Sequence, residues 1–191
     1  MIRLEPFTPA DFPQLIAWVK DEQLMMNWSG AMFSFPLTPA SLAWYIEDTN
    51  ELPTSDAFVY KAVDTATGAT VGHISLGGLS RKNRSARISR VLVGDMQARG
   101  RGIGQAMVTA VLRIGFEQLN LHRIELGVYS FNEAAIRCYQ KSGLTIEGVS
   151  RDILLYEGAY WSLVEMSMLE DEWYAQGLPA ATGQAALACL A

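Results

Sequence analysis

Apolar positions recur along this chain with two periods, and the periods change over in blocks. Ile2 to Glu5 reads as a short first strand. Thr8-Pro9-Ala10-Asp11 then supplies an N-cap, a proline at the first helical position and an early acid, each of which favours a helix start. Phe12, Leu15, Ile16 and Val19 follow at i, i+3, i+4 and i+7, the spacing of one apolar helical face. Met25 to Gly30 predicts a loop. Thr38-Pro39 repeats the capping signal ahead of Leu42, Tyr45 and Ile46, a second and shorter helix that Leu52-Pro53-Thr54-Ser55 closes off.

The middle of the chain turns to strands. Phe58 to Val63 and Thr70 to Leu76 flank Thr65-Ala66-Thr67-Gly68, a hairpin signal. Ala86 to Val93 predicts a further strand after a basic turn at 81–85. Ile103, Ala106, Met107, Ala110, Val111 and Ile114 form one stripe of a long helix. Arg123 to Tyr129 reads as strand, and Asn132 to Ser142 as a helix stopped by Gly143. Late strands near Leu144 to Glu147 and Trp161 to Met168 complete the order β-α-α-β-β-β-α-β-α-β-β. There is no internal repeat. The pattern predicts one domain over residues 1–175 and a poorly patterned tail over 176–191.

Composition narrows the class. Half of the 191 residues are hydrophobic and 18% are charged, which excludes intrinsic disorder. A chain of this length can bury roughly 70% of its unfolded surface, enough for a core without staples. Cys138 and Cys189 are too few for a disulfide framework and favour a reducing compartment. No run of about 18 apolar residues is present to span a membrane, and Met1 to Pro6 lacks the apolar stretch of a secretory signal. The expectation is a cytoplasmic protein without a membrane segment.

Charge adds a local contrast. The net charge is −5, a poor basis for binding nucleic acid, whose phosphates dominate affinity. Yet Arg81, Lys82, Arg84, Arg87, Arg90, Arg99 and Arg101 fall within 81–101 alongside a single acid, Asp95. Such a belt suits either a solvated charged hairpin or one compact polyanionic ligand.

Inside that belt, Arg99-Gly100-Arg101-Gly102-Ile103-Gly104 joins a strand to a helix. Glycines allow close backbone approach, and the first N–H groups of a helix are unpaired donors at the positive end of its dipole. Together they make an anion site. A dinucleotide fingerprint requires a third glycine at position 105, which is Gln, and no G-K-[ST] tripeptide is present for a Walker loop.

These residues resemble the GNAT superfamily of N-acetyltransferases. Its R/Q-x-x-G-x-G/A pyrophosphate motif is matched by residues 99–104. Its second signature, an Asn, then Ala, then a Tyr on the following helix, is matched by Asn132, Ala134, Ala135 and Tyr139. The likeness spans about residues 1 to 170 and looks nearest to the branch that acetylates N-termini of ribosomal proteins. It departs from that pattern at Leu144, where Phe is usual, and at Ser162, where Asp is frequent. The resemblance implies an α/β (α+β) fold with a central mixed, mostly antiparallel sheet flanked by helices. It also implies acetyl-CoA as cosubstrate, no metal, and a monomer or homodimer acting on a primary amine. A silent CoA-binding regulatory module and a transferase of longer acyl groups are the alternatives.

The resemblance also assigns roles. Val91, Leu92 and Val93 would offer main chain to the pantetheine arm, with the Val93 N–H polarising the thioester carbonyl. Arg99, Gly100, Arg101, Gly102, Ile103 and Gly104 would hold the pyrophosphate. Asn132 would support the cofactor or simply cap its helix. Tyr139 would be the general acid for the departing thiolate, or core packing. An ordinary Tyr giving its proton to an ordinary thiolate is uphill by about 2 kcal/mol, so hydrogen bonding to the thiolate is the larger expected effect.

Glu125, in the fifth strand, is the candidate base, against a solvent-facing reading. His73 reads as structural, His122 as a turn residue and Cys138 as a buried thiol. The acceptor would meet the aromatic residues Trp28, Phe33, Phe35, Trp44 and Tyr45 and the acids Glu47, Asp48 and Glu51. Such a cleft would suit a cationic amine or a peptide N-terminus.

Overall fold

The computed structural model describes residues 1–94 and 100–176. Seven strands form one sheet in the order β1-β2-β3-β4-β5-β7-β6. They are β1 (Ile2–Pro6), β2 (Phe58–Asp64), β3 (Thr70–Ser80), β4 (Ser85–Val93), β5 (Arg123–Tyr129), β6 (Thr145–Tyr156) and β7 (Ala159–Leu169). Every neighbouring pair is antiparallel except β4 and β5, which run parallel. The helices are α1 (Phe12–Trp18), α2 (Glu22–Ser29), α3 (Pro39–Tyr45), α4 (Ile103–Arg113), α5 (Glu133–Lys141) and α6 (Glu170–Ala175). The fold class is the expected one, a mostly antiparallel sheet flanked by helices.

Alternation along the strands divides the apolar residues between two cores. Phe58, Tyr60 and Ala62 of β2 join Met107 and Val111 of α4, Tyr139 of α5 and Trp173 of α6 in the larger one. Val59, between them in sequence, joins Leu15, Met25, Trp28 and Leu42 of α1–α3 in the smaller one. Leu92 of β4 packs into the smaller core while its neighbours Val91 and Val93 lie against the larger. The end of β4 is thus one seam between the two.

Four expectations need correction. Residues 25–30 are not a loop but most of α2: the Asp21 carboxylate accepts from the Leu24 N–H at 2.7 Å, and Met25 and Trp28, three apart, bury one face. β3 runs on to Ser80 rather than ending at Leu76. β6 extends to Tyr156, far beyond Glu147; it is an edge strand exposed along nearly its whole length, so no buried face imposed a pattern. Finally, α6 follows the last strand. Its Glu172 carboxylate accepts from the Leu169 N–H at 2.8 Å, which caps the helix start. The expected tail from residue 177 onward lies outside the described residues.

Trp173 docks α6 on the larger core. It is 2% exposed, stacks on Phe116 with centroids 5.6 Å apart, and its Nε1–H donates to Glu117 at 3.2 Å. Trp173→Ala is expected to lower unfolding free energy by about 3–5 kcal/mol. The exposed neighbour changed in Tyr174→Ala should shift it by less than about 0.5 kcal/mol. Urea denaturation of the two variants makes the comparison.

Candidate active site

The site begins where two strands part. β4 and β5 pair only at Ser85–Arg123, Ala86–Ile124 and Arg87–Glu125; beyond that the strands diverge. A bulge in β4 marks the point. Leu92 faces His73 and Ser89 faces Ser75, so Arg90 and Val91 together oppose one residue of β3. Arg90 takes φ +53°, and such a bulge bends its strand. Gly94 donates its N–H across to Val71 of β3 at 3.1 Å. Alternation therefore turns the Val93 N–H toward β5.

A cavity of about 930 Å³ fills the wedge. Its walls are β4 from Arg87 to Val93, β5 from Leu126 to Tyr129, the start of α4, and one face of α5. The end of α2, from Leu24 to Gly30, borders it as well. Among the described lining residues there is no aspartate, glutamate or histidine.

One end is built for an anion. Gly100 and Gly102 stand at φ +76° and +79°, the left-handed region that favours glycine. Gly102 caps α4 without any side-chain hydrogen bond, so the cap residue itself supplies no acceptor to the first N–H groups of α4. Gly102, Ile103, Gly104 and Gln105 all line the cavity, as do Arg137 and Lys141 of α5. The Gln105 amide donates to the Lys141 carbonyl at 3.0 Å and ties the two helices together. Helix N-terminal amides, a helix dipole and nearby cations fit a pyrophosphate. Arg101 is exposed beside this turn, and Arg99 lies outside the described residues.

Tyr139 lines the same cavity from α5 and is 8% exposed. Burial, with a lesser push from Cys138, raises its hydroxyl well above the usual tyrosine range. The group therefore stays protonated and keeps its O–H available as a donor. Asn132 caps its helix, its side chain accepting from the Ala135 N–H at 3.2 Å, and it also lines the cavity. Cys138 is half-buried on the cavity wall, and burial pushes its thiol up, away from the reactive thiolate.

Glu125 is placed differently. One carboxylate oxygen accepts from Arg87 and the other from Arg123, each at 3.0 Å. Arg87 also donates to Glu165 of β7 at 3.0 Å. Gly127 leaves room for this guanidinium, since any side chain there would collide with Arg87 and Leu163. Glu125 thus anchors Arg87 across the base of the wedge, is absent from the cavity lining, and is not brought together with Tyr139. His122 is a surface residue 3.5 Å from Glu170.

The cationic belt is not gathered on one ligand. Arg81 donates to the carbonyls of Leu52 and Ser55, and Arg84 to Glu170 and the Asn120 carbonyl. The expected acidic, aromatic acceptor cleft is not formed either. Trp28, Phe33 and Tyr45 are buried in the smaller core, Phe35 and Trp44 are exposed, and Glu47, Asp48 and Glu51 are surface residues apart from the cavity. What sequence reasoning missed is the α2 wall and Arg90. A bulge depends on pairing between strands, and no local signal marks it.

His73 is fully buried beneath the bulge, with its Nε2 3.2 Å from the Tyr45 hydroxyl and its Nδ1 without a partner. Phe7 and Trp28 pack edge-on against its ring. Burial above all, and next the nearby Arg90, push its pKa down to about 3. It is a neutral core residue rather than a base. Unfolded histidine protonates near pH 6.5, so between about 6.5 and 3 the unfolded chain holds a proton the native one lacks. Stability should therefore fall as pH drops through that window, at up to about 1.4 kcal/mol per pH unit from this group. His73→Phe should flatten the slope between pH 6 and 4 by about one proton, measured by chemical denaturation across pH.

Known proteins place this geometry. Residues 2–145 match the family model described as an acetyltransferase (GNAT) domain. The SPbeta prophage-derived uncharacterized N-acetyltransferase YokL of Bacillus subtilis is 29% identical over 153 residues, covering 80% of this chain and 82% of that protein. The L-amino acid N-acetyltransferase AaaT of Escherichia coli is 31% identical over 93 residues, covering 49% of this chain and 57% of that protein. Among solved structures, spermidine N-acetyltransferase from Vibrio cholerae in complex with CoA and spermine superposes with a TM-score of 0.76 at 19% identity. That match covers 91% of this chain and 98% of the other, and it bears on the fold alone.

Proposed function

The chain belongs to the GNAT acetyltransferase family and is an N-acetyltransferase, and on that premise we propose that its domain, residues 1–175, moves the acetyl group of acetyl-CoA to a primary amine bound in the β4–β5 wedge. One observation carries the reading: a single cavity joins the N-terminus of α4 to Tyr139 along the part of β4 that lies beyond its pairing with β5. Acetyl-CoA supplies a thioester that a neutral amine attacks directly, with the CoA thiolate leaving from a tetrahedral adduct.

The chain's own residues divide the work. Gly100 to Gly104 and the first amides of α4 hold the pyrophosphate, with Arg101 beside them. The main chain of Val91 to Val93 lies along the pantetheine arm. Asn132 fixes the start of α5 and so the position of Tyr139. The raised pKa of Tyr139 sharpens its role. Complete proton transfer to a thiolate is more uphill than for an ordinary tyrosine, so Tyr139 stabilises the sulfur by donating a hydrogen bond as charge builds there.

Among the described lining residues there is no carboxylate or histidine to strip the amine, which favours an acceptor that enters already neutral. A lysine-like amine needs about 3.7 kcal/mol more than an α-amine for this at pH 7. The reading therefore favours α-amines, or other amines of low pKa, and a rate that climbs with pH until the amine is deprotonated.

Tyr139→Phe removes the hydroxyl and keeps the ring. Acetyl-CoA affinity should be retained by calorimetry while kcat falls by roughly 10²–10⁴. A near-normal kcat would return Tyr139 to core packing. Gly102→Val, which forces a branched side chain into the left-handed region, should abolish acetyl-CoA binding in the same titration.

A further inference from the structure

Charges along the cavity do not balance at its α2 end. Among the described residues four cations line the wedge: Arg87, Arg90, Arg137 and Lys141. Arg87 is held by Glu125 and Glu165, and Arg137 by Glu133 one helical turn away. Lys141 stands at the α4–α5 end, where the helix N-terminus already favours phosphate. Arg90 alone remains at the opposite end, and among the described residues no carboxylate lies within ion-pair distance of it.

The Arg90 guanidinium is nonetheless held in place. It lies 4.9 Å from the centroid of the Tyr45 ring, and its Nη1 donates to Ser75 Oγ at 3.3 Å. The Arg90 carbonyl accepts from Trp28 Nε1 at 2.9 Å, which pins the bulge. The remaining edge is the planar Nε–Nη2 fork, the pair of donors that matches a carboxylate. Both donors converge on one atom, the sulfur of Met32, at 3.1 and 2.7 Å. A thioether is a weak acceptor. Met32 is 41% exposed on an unbranched side chain, and it sits two residues after Gly30, which lines the cavity.

We propose, on the reading of this chain as an amine acetyltransferase, that the acceptor is an amine carrying a carboxylate a few bonds away, as a free α-amino acid does. The carboxylate displaces the Met32 sulfur and takes the Nε–Nη2 fork of Arg90. This orients the neutral α-amine into the wedge, and no residue of the cavity is asked to bind a second cation. A polyamine finds the reverse: an uncompensated arginine and no acid among the described lining residues.

The test compares free L-amino acids (alanine, leucine, methionine, glutamate) with their carboxamides and with spermidine. Acceptor binding is measured calorimetrically with CoA present, and transfer by thiol release from acetyl-CoA. The free acids are expected to bind about 10- to 100-fold tighter than the carboxamides, the range of a charge-assisted fork, mainly through KM. Arg90→Gln should bring acid and carboxamide to parity, with acetyl-CoA affinity reporting that the fold is intact. Met32→Ala, which uncovers the fork, should leave acid binding equal or tighter. Carboxamides or spermidine binding as well as the acids overturns the proposal, as does Arg90→Gln weakening acid and carboxamide alike, or Met32→Ala weakening acid binding tenfold. Absence of transfer to every amine would instead defeat the acetyltransferase reading, and the calorimetric ratio would still decide the role of Arg90.

Discussion

Three residue pairs of parallel hydrogen bonding hold β4 to β5, and their ending after Arg87 and Glu125 is the constraint on which the rest depends. Beyond that point both strands continue, yet their facing edges no longer bond each other. Backbone amides and carbonyls buried without partners are costly, so an open wedge in a sheet needs something to fill it. An extended ligand with its own amide groups is a natural filler. The Arg87 guanidinium, clasped by Glu125 and Glu165, lies across the base of the wedge and fixes where the opening begins.

The bulge at Arg90 follows from the same geometry. With no β5 partner to keep its register, β4 can take an extra residue and bend while still pairing with β3 through Val93. That bend carries the end of β4 toward α4 and sets the main chain of Val91 to Val93 along the cavity. It also turns Arg90 toward Tyr45 and Ser75, onto the smaller core. The buried histidine beneath stays neutral because a guanidinium stands close by and the surroundings are apolar. The cluster of His73, Tyr45 and Arg90 thus carries one positive charge, held at the surface that faces the acceptor.

Much of this was legible in the sequence where a single element carries its own signal. The 99–104 turn, the stripe from Ile103 to Ile114, and the span from Asn132 to Gly143 each contain their chemistry and their boundaries in consecutive residues. Tyr139 could be placed because α5 begins at a readable cap. The failures share a different cause. α2 hid behind Met25-Met26-Asn27-Trp28, whose capping acid Asp21 lies before the apolar pair it supports. β6 gave no alternation because an edge strand exposed on both sides has no buried face to enforce one. Glu125 was chosen by sequence position, but which carboxylate meets Arg87 is decided between strands, across 38 and 78 residues of chain.

The division into two cores explains how one fold can hold its cofactor and acceptor requirements apart. The phosphate turn, α4, α5 and Tyr139 belong to the larger core; Trp28, Tyr45, His73 and the bulge rest on the smaller one. They meet across the sheet, at β2, where Val59 faces one core and Phe58 and Tyr60 the other, and at the end of β4, where Leu92 faces one core and Val91 and Val93 the other. A change of side chain on α2 therefore alters the α2 side of the cavity, while the start of α4 is set separately by main-chain groups and the left-handed Gly100 and Gly102. On the α2 side the cavity carries few charged side chains, and among the described residues the cation there without a carboxylate partner is Arg90.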